Sequence, residues 1–461
     1  MKRLLYNNRQ VVYRLDVGKL RETQFRDPIY GFITVDPLEL ELINSSPFQR
    51  LRHIKQLATS YLVYHGAEHT RFGHSLGVMH LVSRVFDSAV ENFEKRNEKP
   101  LFDKKTQLWY RQLLRLIALV HDLGHPPFSH AGEGVFEDGL KHEDFTKKII
   151  FEKEVADIIC RIGNRTVEEL KAKKYNITPE LIWLIYGEKD SIAVLNKKYI
   201  MPDFKFLKSF MDSDLDCDKM DYLLRDSHYC GVNYGKYDIN RLISSLTVYK
   251  NEEENILNLA VERGGLQAFE EFVVARYFMF VQVYFHKTRR YMDMLLNDLL
   301  KMVLPTITRS MPAREYLQHT DNSVLEAIEI IKAAGNETAE AFIGRKVMRC
   351  VYESKTQAQK SDDMAAHFLA SGIRNHFPNI QIREDLAKKL PTEFPVLERY
   401  DADSGKSIPV YVKHSDKPES LASESELLKG LDKAISIKRI YVERNRAAEV
   451  EAYIREIQQK E

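Results

Sequence analysis

From Leu113 to Val120 the chain is apolar at almost every position, with Leu113, Leu114, Leu116, Ile117, Ala118, Leu119 and Val120 broken only by Arg115. A helix on a protein surface shows one apolar stripe, whereas a helix apolar nearly all round must be enclosed by other elements. The stretch therefore predicts a helix buried on every side. At its end stand His121, Asp122, His125 and His130, and Gly124 with Pro126 and Pro127 stops the helix. Imidazoles and a carboxylate taken out of water each need a partner. A divalent cation is one such partner, so the stretch reads as a metal site.

A chain of 461 residues, 44% hydrophobic and 29% charged, has the composition of a globular protein of two or three units. Its formal net charge of +1 gives no general attraction to nucleic acid or anionic membrane, which favours a small charged ligand held by local basic groups. The N-terminus has no apolar run of signal-peptide length, and no secretion is expected. Cys160, Cys217, Cys230 and Cys350 are dispersed and form no C-x-x-C, which fits a reducing, cytoplasmic setting. Phe269 to Tyr284 carries Glu270, Glu271 and Arg276, so it reads as a core helix and not a membrane span.

Val11, Val12 and Tyr13, and then Phe32 to Val35, predict a short hairpin or two edge strands between residues 10 and 36. Leu38 to Ile43 form a short helix that breaks at Asn44 to Pro47. Ser46 as N-cap and Pro47 at the first helical position predict a second helix through Leu57, with Phe48, Leu51, Ile54 and Leu57 on one stripe. Arg50, Arg52 and Lys55 read as its solvated face. Gly66 to Gly77 leads into a helix on which His74 shares a face with Val78, Leu81 and Val85. Such a histidine is usually a satisfied core residue; only the stretch around His121 makes it a ligand candidate.

Residues 150 to 200 read as helical and without chemistry. Leu207, Phe210, Met211, Leu215 and Leu223 predict a helix that also carries Asp212, Asp214, Asp216, Asp218, Asp221 and Asp226. A calcium loop is excluded, because Cys217 and Leu223 stand where it needs glycine and glutamate. On a helix Asp218, Tyr222 and Asp226 share one side, and several other aspartates read as solvated. A strand over Ile256 to Val261 precedes a long helical run from Leu266 to Val303, whose middle carries Arg276, His286, Lys287, Arg289 and Arg290. That cluster reads equally as surface, oligomer contact or phosphate grip. From residue 311 onward polar residues are richer, with loops near 401 to 407 and 414 to 426, strands over Ile408 to Val412 and Ile437 to Val442, and a terminal helix from Ala447.

His74, His121, Asp122 and Asp218 thus come from three helices as two imidazoles and two carboxylates. Mixed nitrogen and oxygen donors suit Mn, Fe, Co, Ni or Zn, and Mg where substrate phosphates complete the shell. Such an ion supports phosphoester hydrolysis. His125, His130 and His142 read as supporting or acid-base groups. The competing reading is a structural metal or a histidine-rich core.

The pattern H…HD…D, with Phe25 to Gly31, Phe48 to Leu57, Gly66 to Gly77, Pro127 to His130 and Asp218 to Asp226, resembles the deoxynucleoside triphosphate triphosphohydrolases of the HD superfamily, in their bacterial branch. The blocks run from residue 25 to about 300 in the family's order, and Tyr284 to Thr288 also match. The resemblance implies a mainly α fold: an HD-domain helical core with short β-hairpins over residues 1–310, the metal site within 48–305, and a smaller C-terminal α+β lobe over 311–461 for regulation or oligomerisation. It implies metal-dependent hydrolysis of deoxynucleoside triphosphates to deoxynucleoside and inorganic triphosphate, by a cytoplasmic, nucleotide-regulated homotetramer controlling dNTP pools. The metal ligands would be His74, His121, Asp122 and Asp218. Arg71 and Lys219 would grip the triphosphate. His130 would face the α-phosphate as catalytic histidine, His125 would contact the phosphates, and His142 with Glu133 would form the supporting pair, with Glu133 where many relatives have aspartate. Gln56, Tyr222 and Asp226 would read the deoxyribose, the Tyr222 ring leaving no room for a 2′-hydroxyl. Gln49 and Arg52 match residues that read guanine in a regulatory site of relatives. Asn44 stands where an aspartate is common; its amide offers one acceptor and a donor, a departure that bears on guanine selectivity.

Two other classes fit parts of this pattern. One is an HD phosphohydrolase acting on a nucleoside monophosphate, a cyclic nucleotide or an alarmone, against which Gln56 and Tyr222 argue. The other is a weakly catalytic nucleotide sensor or nucleic-acid-binding HD protein, against which the intact metal and histidine set argues. The near-neutral charge gives no sign of nucleic acid, without excluding a groove between subunits.

Overall fold

The computed structural model describes residues 4–6, 10–12, 22–187, 203–251, 256–358, 360–389, 408–412, 418–431 and 434–459. Tyr13, residues 188–200 and the loop expected over 401–407 lie outside them. The fold is mainly α with small sheets. Strand β1 (Leu4–Tyr6) pairs antiparallel with β2 (Gln10–Val12), and β3 (Thr23–Asp27) with β4 (Gly31–Val35). The second hairpin turns where Asp27 accepts the amides of Ile29 and Tyr30 and Gly31 takes φ +76°, a value that glycine adopts freely.

Helix α1 (Pro37–Asn44) opens on a capping box: Asp36 accepts from the Leu38 and Glu39 amides, and Glu39 accepts from the Asp36 amide. The next helix is shorter than its periodicity predicts. α2 is Ser46–Arg50, with Ser45 and not Ser46 at the N-cap, and it tightens into a 3-10 turn over Leu51–His53. The cause is tertiary. Residues 54–56 are drawn into extended pairing, with Arg71 N donating to Ile54 O, Gln56 N to His69 O and Lys55 N to the Asp321 carboxylate.

Helices α3 (Arg71–Asn97) and α4 (Lys104–Val120) pack along each other at the centre. As the sequence predicts, α4 is enclosed: every residue from Gln107 to Val120 is buried. Its cations reach carboxylates, Arg111 to Asp87 at 3.0 Å and Arg115 to Glu39 at 2.6 Å. Around the pair lie α5 (His142–Ile150), α6 (Lys153–Leu170), α7 (Pro179–Tyr186), α8 (Phe204–Ser209) and α9 (Cys217–Cys230). The single helix expected over 207 to 226 is therefore two. The chain turns between them, and Asp216 caps α9 by accepting from Lys219 N at 2.7 Å.

β5 (Leu246–Asn251) and β6 (Ile256–Glu262) form a hairpin, after which α10 (Leu266–Met279) passes through a π turn at Phe280–Tyr284 into α11 (Lys287–Val303). The expected continuous run is broken there, Phe285 N bonding to Phe280 O and His286 capping α11. Three short helices follow, α12 (Ala313–Tyr316), α13 (Asp321–Ala333) and α14 (Glu337–Ile343). The remaining chain supplies β7 (Arg349–Glu353), α15 (Lys360–His376), β8 (Ile382–Lys389), β9 (Pro409–Tyr411), β10 (Glu419–Ser420), β11 (Ile435–Val442) and α16 (Ala447–Gln458). β11 sits between β7 and β8, all antiparallel, while β9 adds parallel to β6. Met311, Tyr316, Val324, Ile328 and Phe342 share one apolar core with α3 and α4; Ala370, Ile373, Val442, Val450 and Ile454 form a second, small one. Among the described residues no helix is long and apolar enough to cross a membrane.

Candidate metal centre and its surroundings

Three helix ends converge. Thr70 precedes α3, so His74 sits one turn inside it; His121 is the C-terminal cap of α4, and Asp122 follows; Asp218 lies in the first turn of α9. His74 Nε2 lies 2.9 Å from Asp218 Oδ1 and 3.6 Å from Asp122 Oδ2, and His121 Nε2 lies 3.4 Å from Asp122 Oδ1 and 3.8 Å from Asp218 Oδ1. His74 is fully buried, and His121 and Asp122 are each 4% exposed. The opposite ring nitrogens are engaged. His74 Nδ1 donates to Asp221 at 2.8 Å and His121 Nδ1 to the Ala118 carbonyl at 2.7 Å, which leaves the Nε2 lone pairs facing the carboxylates.

Both Nε2 atoms are buried without an aligned hydrogen-bond partner. Two orphaned imidazole nitrogens beside two carboxylates fit a divalent cation, whose ligands must be neutral imidazole and ionised carboxylate. Burial alone would raise the Asp122 pKa, but Arg71 beside it, with His121 and His125, holds it well below the usual carboxylate range. Arg71 Nη1 donates to Asp122 at 2.5 Å and its Nε to Ser129 at 2.7 Å.

Beside this centre His125, His130, Glu133 and His142 form a second cluster. His125 Nε2 lies 3.1 Å from Asp122, and its ring stacks on His142 with centroids 3.8 Å apart. Glu133 Oε1 accepts from His142 at 2.6 Å and from His130 at 3.1 Å. Although burial pushes Glu133 up, those two bonds hold its pKa far below the carboxylate norm. His130 is the outermost member, its side chain 69% exposed. It is set there by a strained turn in which Phe128 and Ser129 take φ values of 59° and 55°. Asp321 holds the turn by accepting the Phe128 amide at 2.7 Å, and Ser129 Oγ donates to the Lys55 carbonyl at 2.6 Å. Gly124 lets α5 close on the loop, since a Cβ there would lie 2.1 Å from the His142 carbonyl.

The remaining residues singled out in the sequence fall around these clusters. The Tyr222 ring meets Tyr284 edge to face at 6.2 Å. Asp226 accepts from His69 and from the Tyr284 hydroxyl, both at 2.7 Å, and Gln56 Oε1 is buried without a partner. Lys219 is tied to Asp216 at 2.5 Å and to the Ser213 carbonyl at 2.9 Å. Gln49 and Arg52 touch, Arg52 Nε donating to Gln49 Oε1 at 2.9 Å while its guanidinium lies over the Phe72 ring at 3.5 Å; Asn44 is exposed at the end of α1. Arg50, read as solvated, is buried and bonds the His125 and His319 carbonyls. The arginines of the basic cluster are paired with acids: Arg276, which is buried, faces Asp214, Arg289 faces Asp293 one turn along its own helix, and Arg290 faces Asp385. Asp214 and Asp385 are distant in sequence from their arginines, and helical spacing cannot reveal those two pairs.

Two site residues escape the sequence reading. Tyr186, in the span judged without chemistry, donates to the His121 carbonyl at 3.2 Å, and burial, then Asp122, Glu143 and Asp218, raise its pKa. No local pattern marks it. Asp221, given no role of its own in the sequence reading, is fully buried against His74; its spacing of three from Asp218 and four from Arg225 was the available signal.

The HD domain family model matches residues 71–182, and the HD associated region matches 237–458. An uncharacterized protein of Bacillus subtilis, YwfO, is 38% identical over 285 residues, 61% of this chain and 56% of that one. The deoxynucleoside triphosphate triphosphohydrolase SAMHD1 of Mus musculus is 30% identical over 310 residues, 62% of this chain and 44% of that one. The chain spans about half the length of the curated relatives it matches. A hypothetical protein from Aquifex aeolicus of known crystal structure is 31% identical with a TM-score of 0.71, over 94% of this chain and 100% of that one. A phosphohydrolase structure from Bacteroides thetaiotaomicron, 23% identical with a TM-score of 0.63 over 92% of this chain and all of that one, shares the fold. With the H…HD…D residues gathered at one point, the chain belongs to the HD-domain proteins that carry the HD associated region.

Proposed function

We propose that the protein is a metal-dependent phosphohydrolase that converts deoxynucleoside triphosphates to deoxynucleoside and inorganic triphosphate. The observation that carries this reading is the pair of orphaned Nε2 atoms of His74 and His121 beside Asp122 and Asp218, flanked by the His130–Glu133–His142 set. When bound there, a divalent ion supplies an acidified water and a polarised phosphoryl oxygen. The chain's own groups do the rest. Arg71 and Lys219 turn their charge to the phosphates, and His125 contacts them. His130, held by Glu133, passes a proton to the 5′-oxygen as its bond to the α-phosphorus breaks and the water oxygen's bond to phosphorus forms, and the proton that the water loses restores His130. His142 keeps Glu133 ionised and in place. Gln56 and Asp226 bond the 3′-hydroxyl, for which the unpartnered Gln56 Oε1 is a ready acceptor, and Tyr222 closes the space at C2′.

The named activity of the SAMHD1 relatives supports the same substrate class. Regulation through Asn44, Gln49 and Arg52 by an activating nucleotide, a homotetrameric cytoplasmic state and a role in dNTP pool control belong to this proposal. The test is product analysis on each dNTP, alone and in pairs, with Mg or Mn, resolving triphosphate from pyrophosphate and phosphate. Triphosphate with deoxynucleoside is expected, and faster turnover in a particular pair identifies the activator. Absence of triphosphate under every pairing with metal bound would overturn the substrate reading in favour of another HD substrate or a sensor.

A further inference from the structure

At the Nδ1 side of His74 lies a buried ionic chain that reaches a different part of the fold. Asp221 Oδ2 accepts from His74 at 2.8 Å and from Arg225 Nε at 2.8 Å, while Asp221 Oδ1 accepts from Arg225 Nη2 at 3.0 Å. Arg225 Nη1 then donates to Asp27 Oδ2 at 2.9 Å, and Asp27 Oδ1 accepts the Ile29 and Tyr30 amides that close the β3–β4 turn. Asp221 and Arg225 are 0% and 1% exposed and Asp27 is 7% exposed, so water does not substitute for any of these bonds. α3 makes room for them at one place: a Cβ on Gly77 would fall 1.9 Å from Asp221 Oδ1 and 2.5 Å from Arg225 Nη2. On α9, Asp218, Asp221 and Arg225 are spaced i, i+3, i+7, so one helix face carries a metal-site carboxylate and the support of a metal-site histidine.

The chemistry of this arrangement is specific. A buried imidazole binds a cation only through an unprotonated nitrogen, and its proton goes to whichever nitrogen has an acceptor. A carboxylate fixed in two dimensions by a forked guanidinium is a rigid acceptor. We propose that Asp221 is a positioning residue for His74, and that Asp27 of the β3–β4 hairpin sets Asp221 through Arg225. The hairpin, which lies outside the span matched by the HD domain model, is then part of the metal-holding apparatus. The inference rests on the reading of His74 as a metal ligand.

The experiment is a competition titration of Mn2+ against a chromogenic chelator with the full chain, together with imidazole nitrogen NMR and thermal melting of the metal-free protein. His74→Ala is expected to abolish binding. Asp221→Asn is expected to weaken it by about 10–100-fold, the range for lost support of a ligating histidine, and to move the His74 proton away from Nδ1. Asp27→Asn keeps the amide-accepting oxygen and is expected to weaken binding in the same direction by less. The double variant Asp27→Asn with Asp221→Asn is expected to match Asp221→Asn alone, because Asp27 acts through it. Wild-type affinity in Asp221→Asn and Asp27→Asn, with His74→Ala unable to bind, overturns the inference and leaves the ligand reading standing. Retained binding in His74→Ala overturns the ligand reading, and the inference falls with it. Should Asp221→Asn not fold, Asp27→Asn carries the test alone, and unchanged affinity there overturns the proposal.

Discussion

Two buried ionic clusters lie on the same helix pair, less than two turns apart along α4, and they are built on opposite principles. At the first, Glu39 and Arg115 satisfy each other. Arg115 donates twice to Glu39 at 2.6 Å and also to the Thr34 carbonyl and Ser83 Oγ, while Gln112 and the Asp36 amide fill the remaining acceptors of Glu39. At the second, His74, His121, Asp122 and Asp218 bring together two carboxylates and two ring nitrogens that have no aligned hydrogen-bond partner. A closed cluster is structure, and one left open, with the Asp218 side chain 34% exposed, is a place for a ligand. What distinguishes them is chiefly whether the hydrogen bonds balance within the chain.

That contrast is open to direct attack. The largest effect is expected from His121→Ala with Asp122→Ala, which should remove bound metal and all turnover; elemental analysis beside an activity assay checks both, and a double variant that kept them would leave the open cluster without a role. His130→Ala comes next. It should lower turnover by about 10²–10⁴-fold, the range for a lost acid-base group, with metal content unchanged by the same analysis.

Glu39→Gln should instead act on stability alone, costing about 3–5 kcal/mol in urea unfolding because it strands a buried guanidinium, with metal per folded molecule unaltered. The acid limb of that effect has a defined sign. Burial would raise Glu39, but Arg115 and the surrounding donors bring its pKa from 4.5 down to about 2. A folded value below the unfolded one means that the pair stabilises the fold fully above pH 4.5 and loses that contribution as pH falls towards 2. The amount at stake is about 3 kcal/mol, so acid unfolding of Glu39→Gln should be flatter in that interval when followed by circular dichroism. The smallest change is expected from Arg52→Glu, outside both clusters. It should spare metal and melting temperature and abolish any acceleration by a second nucleotide, measured as turnover against activator concentration.

Helix α4 shows how far local pattern reaches. Its apolar circumference announces complete burial, and complete burial makes the histidines after it significant; the α3 and α9 candidates follow from helical spacing, and β6, β11 and α16 lie close to where their patterns put them. The pattern fails where distant chain intervenes. Periodicity carries a helix through Leu57, yet residues 54–56 pair with 69–71 and Asp321 and the helix ends at Arg50. Arg50 itself passes for a solvated residue until the His125 and His319 carbonyls are seen to bind it.

The sequence by itself determined the helical class and the enclosed α4, and it marked out the candidate donors His74, His121, Asp122 and Asp218 and the histidines beside them, because residue type and spacing are local quantities. Only the tertiary structure decided which aspartates are buried, which arginines are spent on acids far along the chain, that Tyr186 and Asp321 support the loop after α4, and that the β3–β4 hairpin is joined to His74 through Arg225 and Asp221. The physical reason is that a hydrogen bond's partner is set by where the chain returns, and the separations here, 198 residues from Asp27 to Arg225 and 193 from Phe128 to Asp321, leave no trace in any local pattern.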